Sequence, residues 1–160
     1  MTASADKVNL TEEEINERVQ ILHKLREHLT EQRDRFYRYL DVLEHEEQDI
    51  LSNNVEKLEY HVELEKELAR EIASFQKVID PLHEIYKISE PDKDIEIPEL
   101  QESLVHIQEE VKERSRRNQQ LLKERMESVR NEIKSIKKAK KSRSVYDDYR
   151  NQPSMIDITT

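Results

Sequence analysis

The sequence predicts an all-α protein, an elongated antiparallel three-helix bundle or coiled coil with disordered termini, and three observations carry that expectation. Apolar residues recur at helical spacing in three separate segments, 39% of the 160 residues are charged against 34% apolar, and glycine is absent. So small an apolar share cannot fill a spherical core. A narrow stripe of Leu, Ile and Val on a long helix can nevertheless be sealed against a neighbour while Glu, Lys and Arg cover the other faces.

The first helix is expected over 11–52. Leu10-Thr11-Glu12-Glu13-Glu14-Ile15 places a Thr at the N-cap, a Glu three residues on and apolar residues flanking both, which is a capping box with a hydrophobic staple. Ile15, Leu22, Leu29, Phe36, Leu43 and Ile50 then recur every seventh residue, joined by Val19, Leu25, Tyr39 and Leu40, so one seam runs the length of the helix. At the usual rise such a helix is roughly 60 Å long. Ser52, Asn53 and Asn54 break the pattern with side chains that compete for backbone hydrogen bonds. The step is short, so the second helix, expected over 55–88, folds back antiparallel.

That second segment carries Leu58, Val62, Leu68, Ile72, Phe75 and Ile79 on one face, and Leu82, Ile85 and Tyr86 continue the period past Pro81, where a kink or break is expected. Pro91 and the following Pro98, with no stripe between them, mark 89–97 as a loop. The third helix is expected over 98–141, opening on Pro98 and carrying Leu100, Leu104, Ile107, Val111, Leu122, Met126, Val129, Ile133 and Ile136 within a sector about 100° wide. Arg114, Ser115 and Asn118 interrupt this stripe. They form either a polar layer that sets register or the point where the helix leaves its neighbours. Residues 1–10 are expected to be a flexible N-terminus and 142–160 a disordered tail.

The sequence excludes more chemistry than it offers. Phosphate-cradling loops, dinucleotide fingerprints and nucleophile elbows need Gly, which the chain lacks, and with no Cys there is no disulfide, thiolate nucleophile or Cys-ligated zinc. His23, His28, His45, His61, His83 and His106 include no pair at the i, i+4 spacing that presents two ligands to one metal. No enzyme, cofactor or metal is therefore expected. No signal peptide or membrane-spanning run is present, which predicts a cytoplasmic protein without membrane insertion. Net charge is −9, yet Lys134, Lys137, Lys138, Lys140, Lys141 and Arg143 form an acid-free cluster. At a helix C-terminus these cations would offset the partial charge of the last carbonyls. With no aromatic interleaved to stack on bases, nucleic acid is not the expected partner.

Several segments taken in order resemble the FlgN family. Leu43-Glu44, Glu46-Glu47 and Ile50-Leu51 precede a polar step and Val55-Glu56-Lys57-Leu58, then Glu65-Lys66, Leu68 and Ile72, similar to the family's helical hairpin. Asn118-Gln119-Gln120-Leu121-Leu122 looks like the family's Asn followed by a Leu pair, and Val145-Tyr146-Asp147 stands where the family has a Tyr beyond a basic stretch. The chain departs from the family in having no Gly after that Tyr.

The resemblance implies a chaperone domain over 11–141 that binds the C-terminal helices of the hook-associated proteins FlgK and FlgL. Such a chaperone prevents their premature association and delivers them to the type III export gate. The stripe that follows the polar interruption is the part of the third helix least committed to internal packing, so cargo binding is expected at Asn118, Leu121, Leu122, Met126, Val129, Ile133 and Ile136. The resemblance assigns docking to the cytoplasmic domain of the gate protein FlhA to Tyr146. Because Leu121 and Leu122 point about 100° apart, a core that uses one leaves the other for a partner. Two other readings stand beside this one: a structural or adaptor coiled coil without cargo, and a basic-ended helical hairpin that binds nucleic acid.

Overall fold

The first two helices begin at capping side chains, Thr11 and Asn54, and the first ends at an Asn turn. The computed structural model describes residues 10–88 and 94–150, with side chains as far as Arg143. It has three helices, α1 (Glu12–Leu51), α2 (Val55–Ile88) and α3 (Glu96–Arg150), with no strand among the described residues. The capping box at Thr11 forms as expected: its Oγ1 accepts from the Glu14 N–H at 3.3 Å, and Glu14 Oε2 accepts from the Thr11 N–H at 2.8 Å. Glu12, Glu13 and Glu14 sit in the first turn, at the positive end of the helix dipole.

The hairpin turn falls at Asn53 and Asn54. Asn53 has φ 55°, the left-handed conformation that usually falls to Gly. Asn tolerates that region better than other residues bearing a Cβ, and in a glycine-free chain it takes the role. The Asn54 N–H donates to the Asp49 carbonyl at 2.9 Å and the Asn53 N–H to that of Ile50 at 3.3 Å, satisfying the last carbonyls of α1 in a Schellman motif. Asn54 then caps α2, its Oδ1 accepting from the Lys57 N–H at 3.1 Å.

The chain divides into two compact units, the first ending at Asn118 and the second beginning at Gln119. In the first, cross-helix bonds define the packing. Gln32 Nε2 donates to Gln76 Oε1 at 2.9 Å, Arg35 meets Glu71 at 2.5 Å, and Asp49 meets His61 at 2.5 Å, so α2 runs antiparallel to α1. Arg26 pairs with Glu96 at 2.7 Å, and Leu43 accepts from Asn118, so α3 runs parallel to α1. Leu25, Leu29, Ile79, Tyr86, Ile97, Leu104 and Ile107 form the core, with Leu22, Phe36, Leu40, Phe75, Leu82 and Leu100 packed on it. Full burial of one such side chain contributes about 1.5–3 kcal/mol.

Four features differ from the sequence expectation. The break at Pro81 does not occur: α2 runs through it, with Ile79 before it and Tyr86 after it both held in the core. The α1 seam is not covered along its whole length, since Ile15 and Val19 are exposed. The third helix starts at Glu96, and Pro98 lies inside its first turn, where a missing N–H leaves no bond unmade. Its other end lies beyond Lys141. No Gly or Pro follows Pro98 until Pro153, so nothing breaks the helix where the apolar period ends, and it continues to Arg150. Residues 1–9 and 151–160 of the expected flexible ends lie outside the described residues.

The turn yields a direct test. Asn53→Ala should lower the urea unfolding free energy by about 1 kcal/mol because Ala resists the left-handed region, while Asn53→Gly should stay within a few tenths of wild type.

Candidate functional site

The interruption of the α3 stripe is a buried polar layer of the first unit. Asn118 is 5% exposed, and its Nδ2 donates to the Leu43 carbonyl at 2.7 Å and to Glu46 Oε2 at 3.5 Å. Arg114 and Arg117 approach Glu47 at 3.8 and 3.9 Å. The register layer is therefore realised at Asn118, and the exposed part of the stripe begins just beyond it, at Leu122. Asn118 also leaves the set of accessible cargo-binding candidates, because its amide is committed to α1.

Behind Asn118 the layer continues into α2. Tyr39 donates its hydroxyl hydrogen to Glu65 Oε1, and Asp49, itself buried, meets His61 Nδ1. Glu46 is buried among these groups, and its Oε1 has no hydrogen-bond partner. Burial first, and then hydrogen bonding to Glu65 and the charge of Glu65, push the Glu46 carboxyl from 4.5 up to about 8, against an opposing contribution from the Asn118 amide. The protonated acid can donate to Glu65, which gives the unpartnered oxygen a role. Burial and Glu65 likewise push the Tyr39 phenol upward. Sequence inspection misses this network, although a signal exists: steps of seven from Leu25 reach Gln32, Tyr39 and Glu46, polar residues at a core position.

The second unit shows the opposite behaviour. Leu122, Met126, Val129, Ile133 and Ile136 are 37% to 57% exposed, whereas Leu25 in the first unit is fully buried. Leu121 is half-buried, so the Leu pair divides as the 100° step requires. A concavity of about 280 Å³ opens along this stripe between Gln119, Leu122, Lys123, Met126, Glu127 and Arg130. The basic cluster does not sit at the helix end as expected, because α3 continues for two turns past Arg143. A dipole contribution confined to the last turn therefore does not account for it. The backbone at Tyr146 is helical rather than a disordered tail, for the same want of a breaker.

Among the described residues no three His, Asp or Glu side chains could hold one metal ion, and no helix is long and apolar enough to cross a membrane. The model of the FlgN protein family matches residues 21–154, a span that takes in the hairpin, the polar layer and the exposed stripe. The chain belongs to the FlgN family. A similar protein, described as uncharacterized, from Treponema pallidum (strain Nichols) is 28% identical over 154 residues, covering 96% of this chain and 99% of that one. No solved structure matches. FlgN proteins are flagellar export chaperones rather than enzymes, and membership implies binding to flagellar hook-associated proteins as a class.

The polar layer of this FlgN protein makes its stability depend on pH. Glu46 holds its proton more tightly folded than unfolded, so its contribution is complete below about pH 4.5 and is lost as pH rises through about 8. Glu46→Gln mimics the protonated acid at every pH. Thermal unfolding of the variant should match wild type at pH 4.5, exceed it at pH 8.5, and show a shallower slope between.

Proposed function

We propose that this FlgN protein binds the C-terminal helices of FlgK-like and FlgL-like hook-associated proteins on the second part of α3, and carries them to the type III export gate in the cytoplasm. The exposure of Leu122, Met126, Val129, Ile133 and Ile136 is the observation that carries the reading. An amphipathic helix laid along such a stripe buries its own apolar face, which would otherwise self-associate before assembly. An adaptor coiled coil without cargo predicts a continuously packed seam, which an exposed stripe does not favour.

Leu122→Asp combined with Val129→Asp should abolish co-purification of a FlgK-like protein while changing folding stability by less than about 1 kcal/mol, since both side chains are surface groups. Leu29→Ala, in the core, should instead cost about 2–5 kcal/mol. Unfolding of the double Asp variant would return these residues to the core and end the reading.

Tyr146 is the proposed docking residue for the cytoplasmic domain of FlhA. It is the first aromatic beyond the basic stretch, and a Tyr ring fills an apolar pocket after fixing only two torsions. Tyr146→Ala should weaken FlhA binding by the cargo-loaded protein at least tenfold in a calorimetric titration, with free chaperone as control. A loss confined to Tyr149→Ala would move the role to the other ring.

A further inference from the structure

The exposed stripe has a row of cations on one side, and a mixed border of Arg125, Glu132 and Arg143 on the other. Stepping about 100° per residue, the five apolar residues occupy a sector of about 80°, and Lys123, Arg130, Lys134, Lys137 and Lys141 fill a band about 60° wide that starts about 20° beyond it. All five cations are exposed. Between Leu122 and Lys141 no carboxylate shares their sector: Glu132 lies on the opposite flank, Glu124 on the back, and Glu127 just outside the outer edge. The first unit treats its cations differently, pairing Arg26 with Glu96, Arg35 with Glu71, and Arg114 and Arg117 with Glu47. Among the described residues none of the five border cations is in an ion pair. The concavity between Leu122, Met126, Lys123 and Arg130 lies where stripe and border meet.

We infer that the stripe's partner is an acidic amphipathic helix, whose Asp and Glu residues lie along one flank of its apolar face and meet this row of cations. The inference rests on the docking role proposed above and adds the chemistry that selects the occupant. An apolar stripe alone accepts any amphipathic helix, and a one-sided row of like charge discriminates among them and sets which flank faces which.

Three other occupants fit less well. Nucleic acid would meet the cations and leave the parallel row of Leu, Met, Val and Ile bare, with no aromatic among the stripe or border residues for bases to stack on. A membrane surface meets both flanks of a helix alike, and here the second flank is mixed, with Glu132 and Ser128 beside Arg125 and Arg143. A second copy of this chain would set the cation row against itself in an antiparallel pair, or against Arg125, Glu132 and Ala139 in a parallel one.

The test uses the full chain and two labelled helical peptides with one shared apolar seam, flanked by Glu in one and Lys in the other, followed by fluorescence anisotropy. Wild type should bind the Glu peptide at least tenfold more tightly, with the margin shrinking as salt rises. Arg130→Glu with Lys137→Glu should reverse the preference, and Arg130→Gln with Lys137→Gln should reduce it, both variants keeping wild-type helicity by circular dichroism. Leu122→Asp with Val129→Asp should abolish binding of both peptides. Equal binding of the two peptides by wild type would overturn the acidic partner and leave apolar docking standing. Binding of the Glu peptide that survives the Leu122 and Val129 changes would overturn both. Tighter binding to a 20-residue oligonucleotide or to phosphatidylserine vesicles than to the Glu peptide, or a dimer in sedimentation lost with the Leu122 and Val129 changes, would overturn the acidic helix as occupant.

Discussion

The hydrogen bond from the Asn118 amide to the Leu43 carbonyl, 2.7 Å long and buried, is the contact around which the first unit is organised. An amide removed from water costs free energy unless its donors are satisfied, and here the acceptors are the Leu43 carbonyl and Glu46. Sliding α3 along α1 by a turn would part that amide from both acceptors. Apolar layers such as Leu104 and Ile107 tolerate such a slip far better, because Leu and Ile fit many registers. The polar layer thus specifies the alignment of α1 and α3, and Arg114 and Arg117 beside Glu47 reinforce it at the rim.

Specificity of this kind has an electrostatic cost. Glu46, Glu65 and Asp49 place three carboxyl groups near one another at the hairpin end, and Tyr39, His61 and Asn118 supply the donors that offset them. Burial and like charge keep the Glu46 proton in place to about pH 8, so near neutrality the layer holds an acid able to donate to its neighbour rather than an isolated buried charge. The network spans all three helices. It makes the register of the first unit sensitive to protonation in a way an apolar layer would not be.

The second unit depends on other physics. Its helix is rich in Lys, Arg and Glu, all good helix formers, and it has no Gly or Pro before Arg150. Propensity sustains the helix, and packing contributes little while the stripe stays exposed. Such a segment belongs to the low-stability end of a protein, where local opening is easy and ordering by a partner is most effective. A partner helix would add the missing apolar contacts and rigidify the segment in one step. That is the behaviour an export chaperone requires, since it must hold a client firmly and still release it.

Much of this was legible in the chain itself, because local signals act locally. Thr11 and Glu14 specify where α1 starts whatever surrounds them, Asn53 supplies the left-handed turn that a glycine-free chain needs, and the seven-residue recurrence through Leu22, Leu29, Phe36 and Leu43 identifies the inward face. Periodicity states which face is apolar, but not whether anything covers it. Leu104 and Val129 lie in the same stripe of α3 and look equivalent in sequence, yet one is buried and the other half-exposed, because coverage belongs to the neighbouring helices. For the same reason only the folded structure could decide that Asn118 is a core layer and that the stripe beyond it is exposed. The link from Tyr39 through Glu65 to Glu46 and Asn118 likewise joins residues far apart in the chain, and exists only once α1, α2 and α3 have aligned.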